Sequence, residues 1–311
     1  MQFRKLGGTD LNIAPLVLGG NVFGWTADKD TSFAILDAFL DAGFNAIDTA
    51  DAYSIFVPGH KGGESEIVLG AWMKDRGVRE KVVLITKGGL PMGEELKGLG
   101  HDYLPRACEA SLKRLQTDHI DVYFAHKADP GVPVEATLET FQALIDAGKV
   151  RFAGASNYTA QELGEALDVT GVGCAPYTVF QPHYNLASRS EYEGIPEELC
   201  IKHGLGVISY FSLAAGFLTG KYRKKEDLEG RARRSSAAAY FSERGLKLLD
   251  ALDAVAARHG ATPAQVALAW LMARPSVTAP IASATSLKQL SDILKSVELN
   301  LTPEDLVTLE I

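Results

Sequence analysis

IDVYFAHKADPGVPVEATLETFQALIDAGKVRFAGASN, residues 120–157, reads as a strand, a helix and a second strand. An apolar run from Ile120 to Ala125 stops at His126, and a run beginning near Arg151 stops at Ser156-Asn157. Between them, Pro133 to Ala147 carries apolar residues at helical spacing, and Gly148 stands where a helix usually terminates. Strand, helix, strand is the rhythm of a βαβ unit and a parallel sheet.

The same rhythm extends in both directions. Short apolar runs begin near Pro15, Ala46, Val82, Ile120, Arg151, Thr178, Gly206 and Val277. Helical stretches such as Thr31 to Asp41, Tyr103 to Leu115 and Thr159 to Leu167 separate them. Eight such units in 311 residues predict an α/β fold, a closed (β/α)8 TIM barrel forming one domain over 1–311. An open doubly wound sheet is the alternative. It is weakened because Leu18-Gly19-Gly20-Asn21-Val22-Phe23-Gly24 lacks the GxGxxG spacing.

Two segments fall outside the repeat. Phe3 to Ile13 reads as an N-terminal β-hairpin with a Gly-rich turn, suited to plugging the barrel's bottom. The long interval between Gly206 and Val277 holds extra C-terminal helices over Glu243 to His259 and Thr262 to Arg274. Ahead of them, Arg223 to Ser242 reads as a mobile loop on the strands' C-terminal side. Thr31 is expected to cap the first helix, and Gly62-Gly63-Glu64 to start another.

Composition narrows the partners. With 39 acidic against 31 basic residues the formal charge is −8, which disfavours nucleic acid. Apolar residues make up 46%, too many for disorder, yet no run reaches the roughly 18 residues of a membrane span. Met1-Gln2-Phe3-Arg4-Lys5 does not open a signal peptide, so a cytoplasmic location is expected. Cys108, Cys174 and Cys200 have no CxxC spacing and read as core thiols, not as a disulfide framework or a metal site.

In a barrel enzyme the site lies at the C-terminal ends of the strands. Asp48 closes the second predicted strand and Tyr53 follows it; Lys87 and His126 close the third and fourth. Ser156-Asn157, Gln181 and Tyr210 end strands five to seven. Asp, Tyr, Lys and His in one cleft form a tunable acid: the lysine is expected to lower the phenol's pKa, the aspartate to fix the lysine, and the imidazole to orient a carbonyl. Protonating a carbonyl requires a matching hydride that no side chain supplies, so a nicotinamide cofactor is implied. Asn157 and Gln181 would grip its carboxamide, with Tyr210 stacked on the ring.

At these residues the chain resembles the aldo-keto reductase family, over essentially its whole length. The resemblance lies in Asp48-Thr49-Ala50-Asp51-Ala52-Tyr53, Gly62-Gly63-Glu64-Ser65-Glu66, Ile120 to His126 and Gly154-Ala155-Ser156-Asn157. It continues in Gln181-Pro182-His183-Tyr184-Asn185-Leu186 and in Leu213 to Tyr222. It implies an NADPH-dependent oxidoreductase that reduces an aldehyde or ketone, reversibly. Tyr53 would be the general acid, Asp48 and Lys87 its tuning pair, and His126 the carbonyl-orienting group. The cofactor, NADP or possibly NAD, would lie against Gly20, Asn21, Asp48, Ser156, Asn157, Gln181 and Tyr210. Its pyrophosphate would follow Ser212, Leu213, Gly216, Leu218, Gly220 and Lys221, and its adenosine end Ser283, Thr285, Gln289 and Asp292. Ser283, Thr285 and Gln289 stand where many relatives place cations for the 2′-phosphate; Lys288, Arg231, Arg233 and Arg234 are the nearby cations.

Plainer readings stand beside these. Asp48 and Lys87 can be a structural ion pair, Ser156 and Asn157 helix caps, and Tyr210 a core aromatic. Trp25 and Phe56 can line a substrate pocket beside Tyr53 and His126 or pack on the rim, and Arg231 to Arg234 can be a solvated face. Three other functions remain: a nicotinamide-binding sensor barrel with little turnover, an NADH-preferring alcohol dehydrogenase, and a Schiff-base enzyme using Lys87. The chain ends at Ile311 soon after the helical run Thr302 to Leu309, so an open mouth admitting varied carbonyls is expected.

Overall fold

A computed structural model describes residues 1–93, 96–169, 171, 173–230 and 233–311. Two short strands, β1 (Arg4–Lys5) and β2 (Asn12–Ile13), pair antiparallel. Eight parallel strands then close on themselves: β3 (Val17–Gly19), β4 (Ala46–Asp48), β5 (Val83–Gly88), β6 (Ile120–Ala125), β7 (Val150–Ser156), β8 (Tyr177–Gln181), β9 (Gly206–Ser209) and β10 (Ala279–Ala282). β10 pairs with both β9 and β3, which completes the expected TIM barrel.

Helices follow the strands in turn: α1 (Lys29–Asp41), α2 (Glu64–Arg76), α3 (Leu104–Leu115), α4 (Val134–Asp146), α5 (Ala160–Asp168) and α6 (Ile195–His203). After β9 come α7 (Arg234–Ala238), α8 (Glu243–His259) and α9 (Pro263–Met272); α10 (Leu287–Leu294) and α11 (Pro303–Thr308) follow β10. Among the described residues no helix is long and apolar enough to cross a membrane.

The strands read as continuous apolar runs because both of their faces are covered. Val122 and Phe124 join Val17, Ile85, Val179 and Ile281 inside the barrel, while Ile120, Tyr123 and Ala125 pack outward with the helices. Leu6 and Ile13 of the hairpin are fully buried in the inner cluster. The hairpin reaches that depth because Gly7 has φ +56° and no side chain; a Cβ there would stand 2.1 Å from the amide nitrogen of Gly206, the first residue of β9. The barrel is therefore stoppered at the N-terminal ends of its strands.

Two local expectations are corrected. Asp28, not Thr31, caps α1: its carboxylate accepts the Thr31 backbone N–H at 2.9 Å, which leaves Thr31 inside the helix. The stretch Arg223 to Ser242, expected to be a loop throughout, is partly helical in its described residues. It holds a 3-10 turn at Lys225–Leu228 and the helix α7, and it buries Leu228 and Ala237 with Tyr222 and Ala215. Arg231 lies outside the described residues. Cys108 and Cys200 are buried and their thiols are pushed up to about 12 by burial, as core thiols should be; Cys174 is half-buried.

Candidate active site

The C-terminal ends of the strands surround a cavity of about 560 Å³. Asp48 reaches it from β4, Ser156 from β7 and Gln181 from β8, with Tyr53, His126, Asn157 and Tyr210 from the segments just beyond the strands. Lys87 on β5 is buried beneath them.

At the floor, Lys87 Nζ donates to Asp48 Oδ2, to the Thr49 carbonyl and to Tyr53 Oη, each at 2.7 Å. The Tyr53 hydroxyl donates to Asp48 Oδ2 at 2.9 Å, closing a triangle, and Gln181 Nε2 holds Asp48 Oδ1 at 2.8 Å. The Lys87–Asp48 pair is thus part of the site as well as a tie between β4 and β5. An ammonium has three donors and no lone pair, and all three have acceptors, which removes the observation a Schiff-base role would need.

The electrostatics reverse one expectation. Burial, reinforced by the negative charge and hydrogen bond of Asp48, raises the Tyr53 phenol well above 10; Arg233 opposes that rise without overturning it. Lys87 was expected to acidify this tyrosine, but its charge is already committed to Asp48, and burial pulls the ammonium itself downward while Asp48 opposes. The phenol is therefore a proton store, not a phenolate. His126 is pushed well below 6.5, first by burial and then by Lys87, so its imidazole is neutral at physiological pH. Among the described residues its Nδ1 is buried without a partner, and an orphaned acceptor is tolerated better than an orphaned N–H. That places the proton on Nε2, the nitrogen left to meet a ligand.

Several expected cofactor contacts have work within the protein. Asn157 Nδ2 donates to the His126 carbonyl at 2.8 Å and to Ser156 Oγ at 3.2 Å, and its Oδ1 accepts the Tyr210 hydroxyl at 2.5 Å. It is not the cap of α5; Thr159 is, in a capping box. One face of Tyr210 stacks on His183, with ring centroids 5.4 Å apart. Gln181 Oε1 has no partner among the described residues and suits a carboxamide N–H.

Beyond Tyr210 the backbone turns sharply, with left-handed φ at Phe211 (+55°), Ala214 (+49°), Ala215 (+54°) and Gly216 (+92°). Two alanines in that region store strain, which persists where ligands are clamped. A Cβ on Gly216 would press within 3.1 Å of Lys221 Nζ, so the glycine lets an ammonium rest against the turn. This cradle, with the amide at Gln181, fits a phosphate-bearing nicotinamide cofactor.

The remaining predicted residues divide. Asn21, Ser212, Leu213 and Ser283 line the cavity, and Ser283 Oγ donates to Asn21 Oδ1 at 2.7 Å. Gly20 lies next to it, its N–H on the Asp48 carbonyl at 2.7 Å. Gly216, Leu218, Gly220, Lys221, Thr285, Gln289 and Asp292 are not on the wall. Leu218 is fully buried in the core, Gln289 Oε1 is taken up by Thr285, and Asp292 binds Thr262 and Gln265 to tie α10 to α9. Trp25 and Phe56 meet edge to face at 5.1 Å on the mouth, with Phe56 70% exposed.

Sequence reasoning left one group open and missed another. Arg233, weighed both as part of a solvated face and as a cation for the 2′-phosphate, lines the cavity with Ser235 and Ser236. Asp51, within the Asp48-to-Tyr53 motif, is buried with neither carboxylate oxygen paired among the described residues; burial, then Glu66, raise it to about 8 against the pull of Arg114. Only its neighbours in space, invisible in the order of residues, set that value.

A closed parallel barrel carries, at the C-terminal ends of its strands, the hydrogen-bonded triangle of Tyr53, Lys87 and Asp48 beside a neutral imidazole. The Aldo/keto reductase family model matches residues 15–311, and the chain belongs to that family. It is 35% identical to the "Uncharacterized oxidoreductase YrpG" of Bacillus subtilis (strain 168), covering 98% of this chain and 93% of that protein. It is 34% identical to a "Probable voltage-gated potassium channel subunit beta" of Oryza sativa subsp. japonica, over 98% of this chain and 94% of the relative. A protein of the same description from Arabidopsis thaliana is 32% identical, over 96% and 92%.

Proposed function

We propose that the protein reduces an aldehyde or ketone to an alcohol with NADPH, reversibly, with Tyr53 as the general acid. The observation carrying this reading is the hydrogen-bonded triangle of Tyr53, Lys87 and Asp48 opening on the same cavity as His126. When bound, the reduced nicotinamide supplies the hydride. Gln181, Ser156 and the Ser212 to Lys221 turn would hold it, with Tyr210 against the ring.

The protein's own groups do the rest. His126 Nε2–H directs the carbonyl oxygen toward Tyr53 Oη, and Trp25 and Phe56 cover the apolar part of the substrate. As negative charge gathers on that oxygen, the Tyr53 proton turns from Asp48 toward it. Lys87, already donating to Oη at 2.7 Å, stabilises the phenolate left behind.

The NADPH preference rests on the family's habit, since Ser283 and its neighbours offer hydroxyls and amides in place of a cationic fork. We further read residues 1–311 as one domain, supported by a core cluster running from Ala14 to Leu309. A cytoplasmic enzyme of small molecules, without a nucleic-acid or membrane partner, agrees with the free thiols and the formal charge of −8. The plant relatives favour one second reading, a nicotinamide-binding regulatory barrel with little turnover.

One experiment separates these. Tyr53→Phe should bind NADPH, by cofactor fluorescence, about as the parent does and lose roughly 10²- to 10⁴-fold in kcat on a carbonyl panel. Undiminished turnover would remove Tyr53 as the acid. A parent that binds NADPH and consumes none would transfer the case to the regulatory reading, and tighter binding of NADH would reverse the cofactor preference.

A further inference from the structure

Glu64, the first residue of α2, is half-buried off the cavity wall and touches both loops that carry the aromatic pair of the mouth. Its Oε1 accepts the Lys61 backbone N–H at 2.7 Å. Its Oε2 accepts the Ser54 hydroxyl at 3.3 Å, shared with the Tyr53 carbonyl at 2.7 Å, and His60 Nδ1 lies 3.9 Å from the same oxygen. One carboxylate thus grips both ends of the segment from Ser54 to Lys61, which carries Phe56. Ser54 has a left-handed φ of +61°, a strained conformation for a serine that persists only where neighbours impose it. The other loop rests on the same residue. Gly24 has φ +69°, and a Cβ there would lie 3.2 Å from Glu64 Cβ, so the glycine lets the Trp25 turn settle against α2.

Trp25 follows β3 and Phe56 follows β4, and their rings meet edge to face at 5.1 Å on the cavity wall. With Phe56 70% exposed, its place is set by Trp25 and by the backbone that carries it. In the ring of eight strands β7 stands opposite β3 and β8 opposite β4. Ser156 and Gln181, assigned above to the nicotinamide, therefore reach the cavity from the far side. Resting on the carbonyl-reductase reading, we propose that Glu64 is a positioning residue for substrate choice: it fixes the Trp25–Phe56 wall on which a ring-bearing carbonyl compound packs, and so favours aromatic aldehydes over short aliphatic ones. Aromatic rings attract at defined separations and angles, which a tethered wall presents in advance and a loose one must be ordered to reach.

The test compares kcat/KM for benzaldehyde and propanal in the parent, Glu64→Met, Glu64→Gln, Phe56→Ala and the Glu64→Met/Phe56→Ala double variant. Methionine keeps the length of the side chain and loses both acceptors. The aromatic-to-aliphatic ratio should fall about 5- to 20-fold in Glu64→Met, through KM more than kcat, and recover in part in Glu64→Gln, which still accepts the Lys61 N–H. In the Phe56→Ala background the same Glu64→Met step should change the ratio less than about twofold, since the wall it positions is gone. Glu64→Ala carries the same cycle if the methionine variant does not fold. A ratio unchanged in Glu64→Met overturns the proposal, with or without weakened NADPH binding, and so does a fall that persists in full in the Phe56→Ala background. A parent inert toward both aldehydes and the wider panel would instead sink the reductase reading. Glu64 is then judged by binding alone: with NADPH present, benzyl alcohol should raise the melting temperature of the parent more than propan-1-ol does. That difference should vanish in Glu64→Met, whereas an equal difference in the two proteins overturns the assignment.

Discussion

Tyr53 donates to Asp48 and accepts from Lys87 in the same 2.7–2.9 Å triangle, and its pKa lies well above 10 because burial and Asp48 outweigh the nearby cations. An acid in that condition keeps its proton until the substrate demands it. His126, pushed low, is neutral and likewise does not titrate in the working range. Carbonyl reduction should therefore show a flat kcat/KM from about pH 6 to 9, while alcohol oxidation, which needs the phenolate, rises with pH. Among the described residues, Asp51 is a buried carboxyl near the site that titrates in that window, at about 8. A descending limb near pH 8 that survives Asp51→Asn would contradict the assignment of a raised phenol.

Elements were legible where one physical rule acted alone. All eight barrel strands lie at the predicted apolar runs, since a strand covered on both faces must be apolar along its length. The polar residues that stop those runs, Asp48, His126, Ser156 and Gln181, do converge, because parallel strands present one end in common. Legibility failed where two choices satisfied the same rule. Asp28 and Thr31 are both good caps, and only backbone angles select between them. The Arg223 to Ser242 segment has no periodicity, and its five-residue α7 is held by Ala237 packed under Tyr222, a contact absent from any local pattern. The hairpin is a test of element-scale reasoning: Leu6 is fully buried among barrel residues far away in the chain. Leu6→Ala should lower unfolding free energy by about 2–5 kcal/mol in urea titrations. A loss below roughly 1 kcal/mol would mean that the stopper contributes little to the barrel.

At the scale of the molecule, the site assembles residues the chain keeps far apart. Gln181 holds Asp48 across 133 positions, and Tyr210 holds Asn157 across 53. Residue types and strand ends identified these side chains, but their pairing follows from which rotamers fit together once the barrel closes, and so does the turning of Arg233 inward. The stopper at the opposite end has a consequence for traffic. A cul-de-sac imposes a queue: whatever occupies the deep berth near Gln181 must board before anything seated at Trp25 and Phe56, and must disembark after it. Nucleotide should thus bind first and depart last. Product-inhibition kinetics can verify this, with oxidised nucleotide competing against reduced nucleotide and the alcohol failing to; a pattern of random boarding would mean that the dead end does not govern the order.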